Sequence, residues 1–276
     1  MIKRISGLVF CLITLFYGCD DGNSGADFIS PDNKYPAMKG DCWEYKVYNA
    51  FFYYDSTGGF DSSMINSSEV KIEIVEDKDS IGAIKNLLRF NSSPIDGSFQ
   101  GLTAWYRNDN SGLYLIATTG IPYNNDDFLL PKSGINHQND LKTFIIKNHS
   151  APFLFNITNS SFPVDTTIFE FPIKKLQYPY TVGNKWFMRT DPLIERFVKN
   201  IELIEVPAGK FECYVHETSW FTHDIKYDYF ISKEFGLIKS TLEIDSIPMT
   251  TSANPDSAIG YFKYEVKSEL LRKYNK

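Results

Sequence analysis

A motif that occurs twice constrains the fold of this chain more than any other feature. Its skeleton is Tyr-Pro, three residues, Gly, two residues and Trp, and its copies occupy residues 35–43 and 178–186. Four residue types at identical spacing, two of them Trp and Pro, rarely coincide by chance. Recurrence of a pattern within one chain is typical of a structural unit used more than once. The sequence therefore predicts a β-rich module present in two copies.

The segments after the first copy alternate as half-buried strands do. Apolar and charged residues alternate over residues 43–47 and 70–74, which is the period of a strand with one face in the core. Residues 84–90, 102–107 and 112–118 predict three further strands. Residues 55–68 are rich in Ser, Gly and Asp, and this composition predicts a long hairpin loop.

The second module is predicted to follow the same plan. Residues 197–205 and 210–217 predict two strands, and Pro207 and Gly209 between them suit a tight hairpin turn. Between the modules, residues 120–177 contain apolar runs that predict two to four strands. Residues 258–271 predict a closing strand, and residues 268–274 predict one helical turn.

The repeat extends beyond its opening motif. Trp105-Tyr106, five residues and Gly112-Leu113 align with Tyr229-Phe230, five residues and Gly236-Leu237. The alternative is two unrelated β segments that share common turn chemistry.

We predict an all-β, mostly antiparallel fold. It would be a duplicated curved-sheet module, forming either an open half-barrel or two packed β modules. The predicted divisions are a first module at residues 35–118, a connecting β segment at 119–177 and a second module at 178–276.

The amino terminus has the parts of a lipoprotein signal peptide, predicted to cover residues 1–18. Lys3 and Arg4 precede an apolar stretch that is too short to span a bilayer as a mature helix. Residues 15–19 resemble the bacterial lipobox, in which Cys19 would carry acyl chains such as palmitate and hold the chain to a membrane. An ordinary secretory peptide is the alternative.

Residues 19–34 predict a flexible tether between that anchor and the body. The expected location is the cell envelope, with the protein lipid-anchored at the outer membrane and facing the periplasm or the surface. Asp20 and Asp21 keep retention at the inner membrane open as well.

Charge and cysteine usage fit an extracytoplasmic protein. Without residues 1–18 the chain has 26 basic and 34 acidic residues and a net charge of -8. A nucleic-acid partner is therefore not expected, because no basic patch would neutralise phosphates. Cys42 and Cys213 remain in the body, and the sequence leaves open whether they form a disulfide or stay as buried free thiols.

Motifs that carry catalysis are missing from the sequence. Phosphate-binding glycine loops, the zinc-protease helix motif and the serine nucleophile elbow do not occur. We therefore predict no catalytic residue and no cofactor. A hydrolase using Glu217 and Asp224 is an alternative that no spacing supports.

A metal site is a weak alternative. His216 and His223, each followed by an acidic residue, would gather ligands for a divalent ion if the intervening segment turned. The simpler interpretation makes His216 an outward-facing strand residue.

Aromatic residues make up 16% of the chain. Tyr45, Tyr53, Trp105 and Tyr229 are the predicted ligand-contact candidates, either lining an apolar cleft for a lipid or acyl chain or stacking against sugars. The alternative is that Tyr and Phe serve only as good strand formers over a large sheet.

Three motifs carry a resemblance to a protein family. They are the YPxxxGNxW pattern at residues 178–186, VPAGxF at 206–211 and FGLIK at 235–239. The chain resembles uncharacterised β-rich lipoproteins and secreted proteins of Bacteroidetes-like bacteria. The resemblance implies a strongly curved antiparallel sheet, distantly similar to carriers and receptors of lipoprotein sorting, whose half-barrels hold acyl chains. The lid helices of such carriers are not evident here.

The sequence therefore favours a non-enzymatic envelope lipoprotein that binds an apolar ligand or a partner protein. A surface glycan-binding lipoprotein and a purely structural envelope protein are the alternatives.

Overall fold

The computed structural model describes residues 34–97, 101–119, 166–190, 193–221, 225–249 and 257–276. All regular structure in these ranges is β-strand, and no described helix is long and apolar enough to cross a bilayer. The strands are β1 Asp41–Asp55, β2 Phe60–Ile81, β3 Ile84–Pro94, β4 Leu102–Asp109, β5 Gly112–Thr119, β6 Thr166–Gln177, β7 Lys185–Thr190, β8 Leu193–Val206, β9 Gly209–Trp220, β10 Ile225–Ser232, β11 Gly236–Met249 and β12 Gly260–Asn275.

The twelve strands form one antiparallel sheet in the order β6-β5-β4-β3-β2-β1-β12-β11-β10-β9-β8-β7. Strands that are neighbours in the chain pair with each other, except β6 and β7, and the pairing of β1 with β12 joins the two halves. The sheet curls until its end strands β6 and β7 meet, but no backbone ladder joins them. The predicted all-β antiparallel class is confirmed, as one continuous, barrel-like sheet with a single unsealed seam.

Two local predictions are wrong, and strand pairing explains both. Residues 60–68 were predicted to be loop but belong to β2, because β1 is long enough to hydrogen-bond them, and their polar side chains are mostly exposed. The predicted helical turn at residues 268–274 is strand, because β12 pairs with β1 as far as Asn275. There the Arg272 Nε and the Tyr274 hydroxyl both donate to the Glu44 carboxylate, at 2.7 and 2.8 Å.

The hairpin predicted at Pro207 and Gly209 is present, since β8 ends at Val206 and β9 begins at Gly209. Its tip reaches β12, where the Ala208 N–H donates to the Leu270 carbonyl at 3.1 Å. Of the predicted connecting segment, the structure describes β6, and residues 120–165 lie outside the described residues.

Large aromatic side chains fill the interior of the sheet. The rings of Trp43 and Phe90 are stacked with centroids 6.5 Å apart, and Tyr106 meets Phe90 edge-on at 5.0 Å. Polar atoms of these rings find backbone partners. The Trp43 Nε1 donates to the Phe235 carbonyl at 2.7 Å, and the Tyr45 hydroxyl donates to the Leu237 carbonyl at 2.8 Å. The core therefore buries aromatic area while satisfying much of its own polarity.

The two Tyr-Pro segments meet at one end of the sheet. The Tyr35 N–H donates to the Tyr178 hydroxyl at 2.8 Å, and that hydroxyl donates to the Asn108 Oδ1 at 2.9 Å. The Asn108 Nδ2 in turn donates to the Tyr35 carbonyl at 3.0 Å. Each copy of the motif leads into a run of six strands, β1 to β6 and β7 to β12. Duplication of the module stays a prediction.

We predict that Gly236→Ala destabilises the fold more than Gly58→Ala. Both glycines have φ of +83°, so alanine costs about 1 kcal/mol of backbone strain at either position. A Cβ at Gly236 would lie 2.7 Å from the Tyr35 hydroxyl oxygen, whereas nothing lies within 4 Å at Gly58. Overpacking should add about 1–3 kcal/mol for Gly236→Ala alone. Urea unfolding followed by tryptophan fluorescence checks this, and equal losses for the two variants would contradict it.

Candidate functional site

A group of polar side chains is buried inside the sheet, next to the seam between β6 and β7. We call it the seam cluster. Four of its members are polar and four are aromatic, and all eight are less than 9% exposed. Its residues are Lys175, Arg196, His216, Thr218, Tyr180, Trp186, Tyr227 and Tyr229.

Strand register brings most of these side chains together. Arg196 on β8 is opposite Thr218 on β9, which is opposite Tyr227 on β10. His216, two residues before Thr218, is opposite Tyr229 on β10. Residues two apart on a strand share a face, so these side chains form two adjacent rows on the interior of the sheet.

The Arg196 side chain lies on this interior face and connects β8 and β9 to β6, on the other side of the seam. Its Nε donates to the Thr218 Oγ1 at 2.9 Å, and its Nη1 donates to the Lys175 carbonyl at 2.8 Å. The guanidinium carbon lies 4.1 Å from the centroid of the Tyr229 ring. The Nη2 atom makes no hydrogen bond to the described residues. Arg196 is thus held rigidly, with one donor edge unused.

Lys175 enters the interior at a β-bulge, two residues after the buried Ile173. Leu176 is opposite Leu113 and Lys174 is opposite Tyr114, so Lys175 between them has no partner in the ladder. Burial lowers the pKa of the Lys175 ammonium to about 7, and the nearby charges of Arg196 and Arg189 lower it further in the same direction.

His216 is completely buried, so its predicted outward orientation is wrong. Its ring meets those of Tyr180 and Trp186 edge-on, with centroids 5.4 and 5.8 Å away. Neither imidazole nitrogen has a hydrogen-bond partner among the described residues. Burial, and secondarily the charge of Arg196, lowers the pKa of His216 to about 3, so the ring is neutral. Val215 is also buried, which breaks the in-and-out alternation on which the prediction relied.

Two side chains bridge the seam where a backbone ladder is missing. The Trp186 Nε1 on β7 donates to the Lys174 carbonyl on β6 at 3.0 Å. The next carbonyl along β6, that of Lys175, accepts the bond from Arg196. Side chains from β7 and β8 therefore satisfy two consecutive carbonyls on the open side of β6.

The four predicted ligand-contact residues are not brought together. Tyr229 lies in the seam cluster, while Tyr45 is buried with its hydroxyl bonded to the Leu237 carbonyl. Tyr53 is half-buried and packs against the core. Trp105 is half-buried, and its Nε1 donates to the Asp79 carboxylate at 2.9 Å. Their roles as ligand contacts stay predictions.

Other predicted positions are partly outside the described residues. Cys19, His223 and Asp224 belong to the undescribed ranges, and the described residues contain no group of three or more His, Cys, Asp or Glu side chains that would hold a metal ion. The Glu217 carboxylate is paired with the Lys199 ammonium at 3.0 Å. Cys42 and Cys213 are both buried free cysteines.

Sequence reasoning missed Lys175 and Arg196. Arg196 had a usable signal, because it occupies an inward position between Ile194 and Val198 in an alternating strand. A charged residue at a core position is unusual and marks a site worth examining. Lys175 had a similar signal, because it follows the buried Ile173 by two residues on β6.

Comparison with known proteins yields structural likenesses only. No family model matches the chain, and no curated protein matches its sequence. A protein inferred to be exported, with a YmcC-like fold, from Bacteroides fragilis NCTC 9343 is 12% identical with a TM-score of 0.36, covering 88% of this chain and 99% of its own. A protein inferred to be a lipoprotein, from Parabacteroides distasonis ATCC 8503, is 13% identical with a TM-score of 0.35, covering 86% and 96%.

A third structure, DynF from the dynemicin biosynthesis pathway of Micromonospora chersina, is 7% identical with a TM-score of 0.20, covering 84% of this chain and 81% of its own. All three TM-scores are below 0.5.

We predict that Lys175→Met stabilises the fold at pH 7 by about 1–4 kcal/mol, because it removes a buried cation without a paired carboxylate. The pKa of Lys175 is about 7 in the folded state and 10.5 in the unfolded state. The unfolded chain therefore holds the proton more tightly, and the wild type loses stability as pH falls from 10.5 to 7. The gain from the substitution should be largest at pH 7 or below and smallest above pH 10.5.

Lys174→Met is the matched control for that substitution. The Lys174 ammonium lies 5.4 Å from the Tyr114 ring centroid and is half-buried, so its removal should change stability little at any pH. Urea unfolding across this pH range measures both variants. A loss of stability at pH 7 for Lys175→Met would contradict the prediction.

We predict that His216→Phe reduces acid destabilisation. Between pH 6.5 and about 3 the unfolded chain binds a proton at His216 and the folded chain does not, so folding stability falls as pH falls through this window. Phenylalanine keeps the ring contacts and removes the titration. Unfolding free energies at pH 8 give the packing effect alone, and the difference between pH 8 and pH 4 should be smaller for the variant. An unchanged difference would show that His216 titrates normally in the folded chain.

Proposed function

We propose that this protein is a non-enzymatic lipoprotein of the cell envelope, anchored through Cys19, whose curved sheet binds an apolar ligand beside the β6–β7 seam. The observation that carries the proposal is the seam cluster. Among the described residues, it places buried polar atoms without partners behind the seam, where β6 and β7 meet without a backbone ladder. The aromatic residues around these atoms supply the apolar surface of a binding site.

Unsatisfied polar atoms support ligand binding because it is costly to leave them buried without partners. A buried polar group without a partner costs about 1–3 kcal/mol. Both nitrogens of His216 and the Nη2 of Arg196 are in this state. The interior hydroxyl of Tyr45 and the indole nitrogens of Trp43 and Trp186 all have backbone partners. Polar atoms of a ligand would remove the part of this cost that lies in the seam cluster.

The seam supports a route into the interior. Separating two paired strands of the described sheet would break a ladder of backbone hydrogen bonds, whereas the seam is crossed by the side-chain bonds that Trp186 and Arg196 donate to β6. A typical hydrogen bond contributes about 0.5–1.5 kcal/mol net. Local opening at β6 and β7 is therefore less costly than at any other junction in the described sheet.

The arrangement does not support catalysis by His216. A histidine that acts as a general base is oriented by a hydrogen bond and has a pKa near the working pH. His216 has no hydrogen bond to the described residues and a pKa of about 3. This supports a binding role.

A partner protein is the second candidate, because both end strands expose apolar side chains. Ile168 and Phe171 on β6 are 48% and 79% exposed, and Phe187 on β7 is 53% exposed. Exposed apolar residues along sheet edges are typical of surfaces that pair with another chain.

The test is native mass spectrometry of the mature lipid-anchored chain, purified from membranes in a compatible detergent. The covalent anchor remains on the chain after denaturation, whereas a bound ligand is released, so the difference between native and denatured masses isolates the ligand. We expect a near-stoichiometric small molecule, identified by solvent extraction. A difference of protein size would favour the partner, and equal masses would contradict ligand carriage.

A further inference from the structure

Two buried basic side chains in the seam cluster have no acidic partner. Arg196 is 1% exposed and Lys175 is 7% exposed, and neither forms an ion pair with a described carboxylate. Removing a charge from water without pairing it costs several kcal/mol. The two cations are also near enough to each other that the charge of Arg196 lowers the pKa of Lys175.

Two other shielded carboxylates of this fold are paired with cations. Glu44, which is 5% exposed, accepts a bond from the Arg272 Nε at 2.7 Å and another from the Tyr274 hydroxyl at 2.8 Å. The Asp79 carboxylate is 3.0 Å from Arg89 and also accepts the Trp105 indole N–H. The absence of a carboxylate at Arg196 and Lys175 is thus a local property of the seam cluster, within the part of the chain that the structure describes.

Asp228 is a carboxylate near the seam cluster, because the charge of Arg196 contributes to its pKa. It alternates with Tyr227 and Tyr229 and therefore lies on the opposite face of β10, across from Glu217. Burial, and then repulsion from Glu217, raises the pKa of the Asp228 carboxyl, while Lys199 and Arg196 lower it less. Asp228 belongs to the outer group with Glu217 and Lys199, and it does not neutralise the cluster.

The donors that remain unused match an oxyanion. Within the described part of the chain, the Nη2 of Arg196 has no hydrogen-bond acceptor and neither nitrogen of the neutral His216 has a hydrogen-bond partner. A neutral imidazole offers one N–H, a guanidinium offers directed N–H pairs and a lysine offers a third donor when protonated. Carboxylate and phosphate oxygens accept from all three.

We propose that Arg196, Lys175 and His216 bind the oxyanion head group, a carboxylate or a phosphate, of an amphipathic ligand whose apolar chain contacts the aromatic residues of the seam cluster. The inference rests on the proposed function and names its ligand class. The head group supplies the counter-charge that the fold does not, and the position of these residues beside the seam places the head group next to the route of entry.

The experiment compares head groups on one chain length. Calorimetric titration of the detergent-purified mature chain uses octanoate, octyl phosphate, 1-octanol and inorganic phosphate, all below their micelle concentrations. We expect octanoate or octyl phosphate to bind at least about tenfold more tightly than octanol. A tenfold difference in affinity is what one charge-assisted hydrogen bond contributes. Inorganic phosphate binding as tightly as octyl phosphate would contradict the amphipathic part of the proposal and identify a free anion as the ligand.

Variants then connect the preference to the residues. Lys175→Met should weaken octanoate binding by about tenfold and leave octanol binding unchanged, while Lys174→Met should change neither. Lys175→Met is expected to fold, so loss of binding cannot be ascribed to unfolding, and the folded fraction is checked by the urea transition. His216→Phe, which keeps the ring contacts, should also weaken octanoate relative to octanol.

The outcomes separate this inference from the proposed function. If octanol binds as tightly as octanoate, or if Lys175→Met lowers both equally, the oxyanion site is overturned while apolar ligand binding stands. If none of the amphiphiles binds and the native mass shows no ligand, both are overturned.

Discussion

The pairing of β1 with β12 is the interaction on which the rest of the structure depends. It runs from Asp41 opposite Asn275 to Asp55 opposite Gly260 and joins the first six strands to the last six. Because every other pairing is between neighbours in the chain, this is the contact that turns two meanders into one sheet. It also fixes β6 and β7 as the ends that meet after the sheet curls. The seam between β6 and β7 is therefore a consequence of the pairing of β1 with β12.

The seam in turn explains the chemistry behind it. A strand edge without a ladder leaves carbonyl groups that need donors, and the fold meets this need with Trp186 and Arg196. Reaching the Lys175 carbonyl places the Arg196 guanidinium inside the sheet, and the Lys175 ammonium is buried at the β-bulge of β6. Structural closure and an interior positive charge therefore arise from the same few residues, at a cost in stability that a bound oxyanion would offset.

Strand positions were largely predictable from local pattern, and the candidate site was not. Alternation located β3, β4, β5, β8 and β9, and the Pro207 turn placed the hairpin between the last two. The errors at residues 60–68 and 268–274 came from judging composition without the partner strand, because a ladder imposes extended backbone on polar residues. Of the four predicted ligand contacts, Tyr229 lies in the seam cluster, and the orientation of His216 was wrong because β9 is covered on both faces there.

By itself the sequence determined the fold class, the turns and the special role of the two Tyr-Pro segments, because these depend on period, proline and glycine at short range. Gly40 and Gly183 of the repeated motif both adopt positive φ, at 92° and 91°, which explains why their spacing is readable in the sequence. Only the tertiary structure decided that the halves share one sheet, where the seam falls and which charges become buried. Those features depend on contacts between residues far apart in the chain, such as Arg196 with Lys175 across a strand edge.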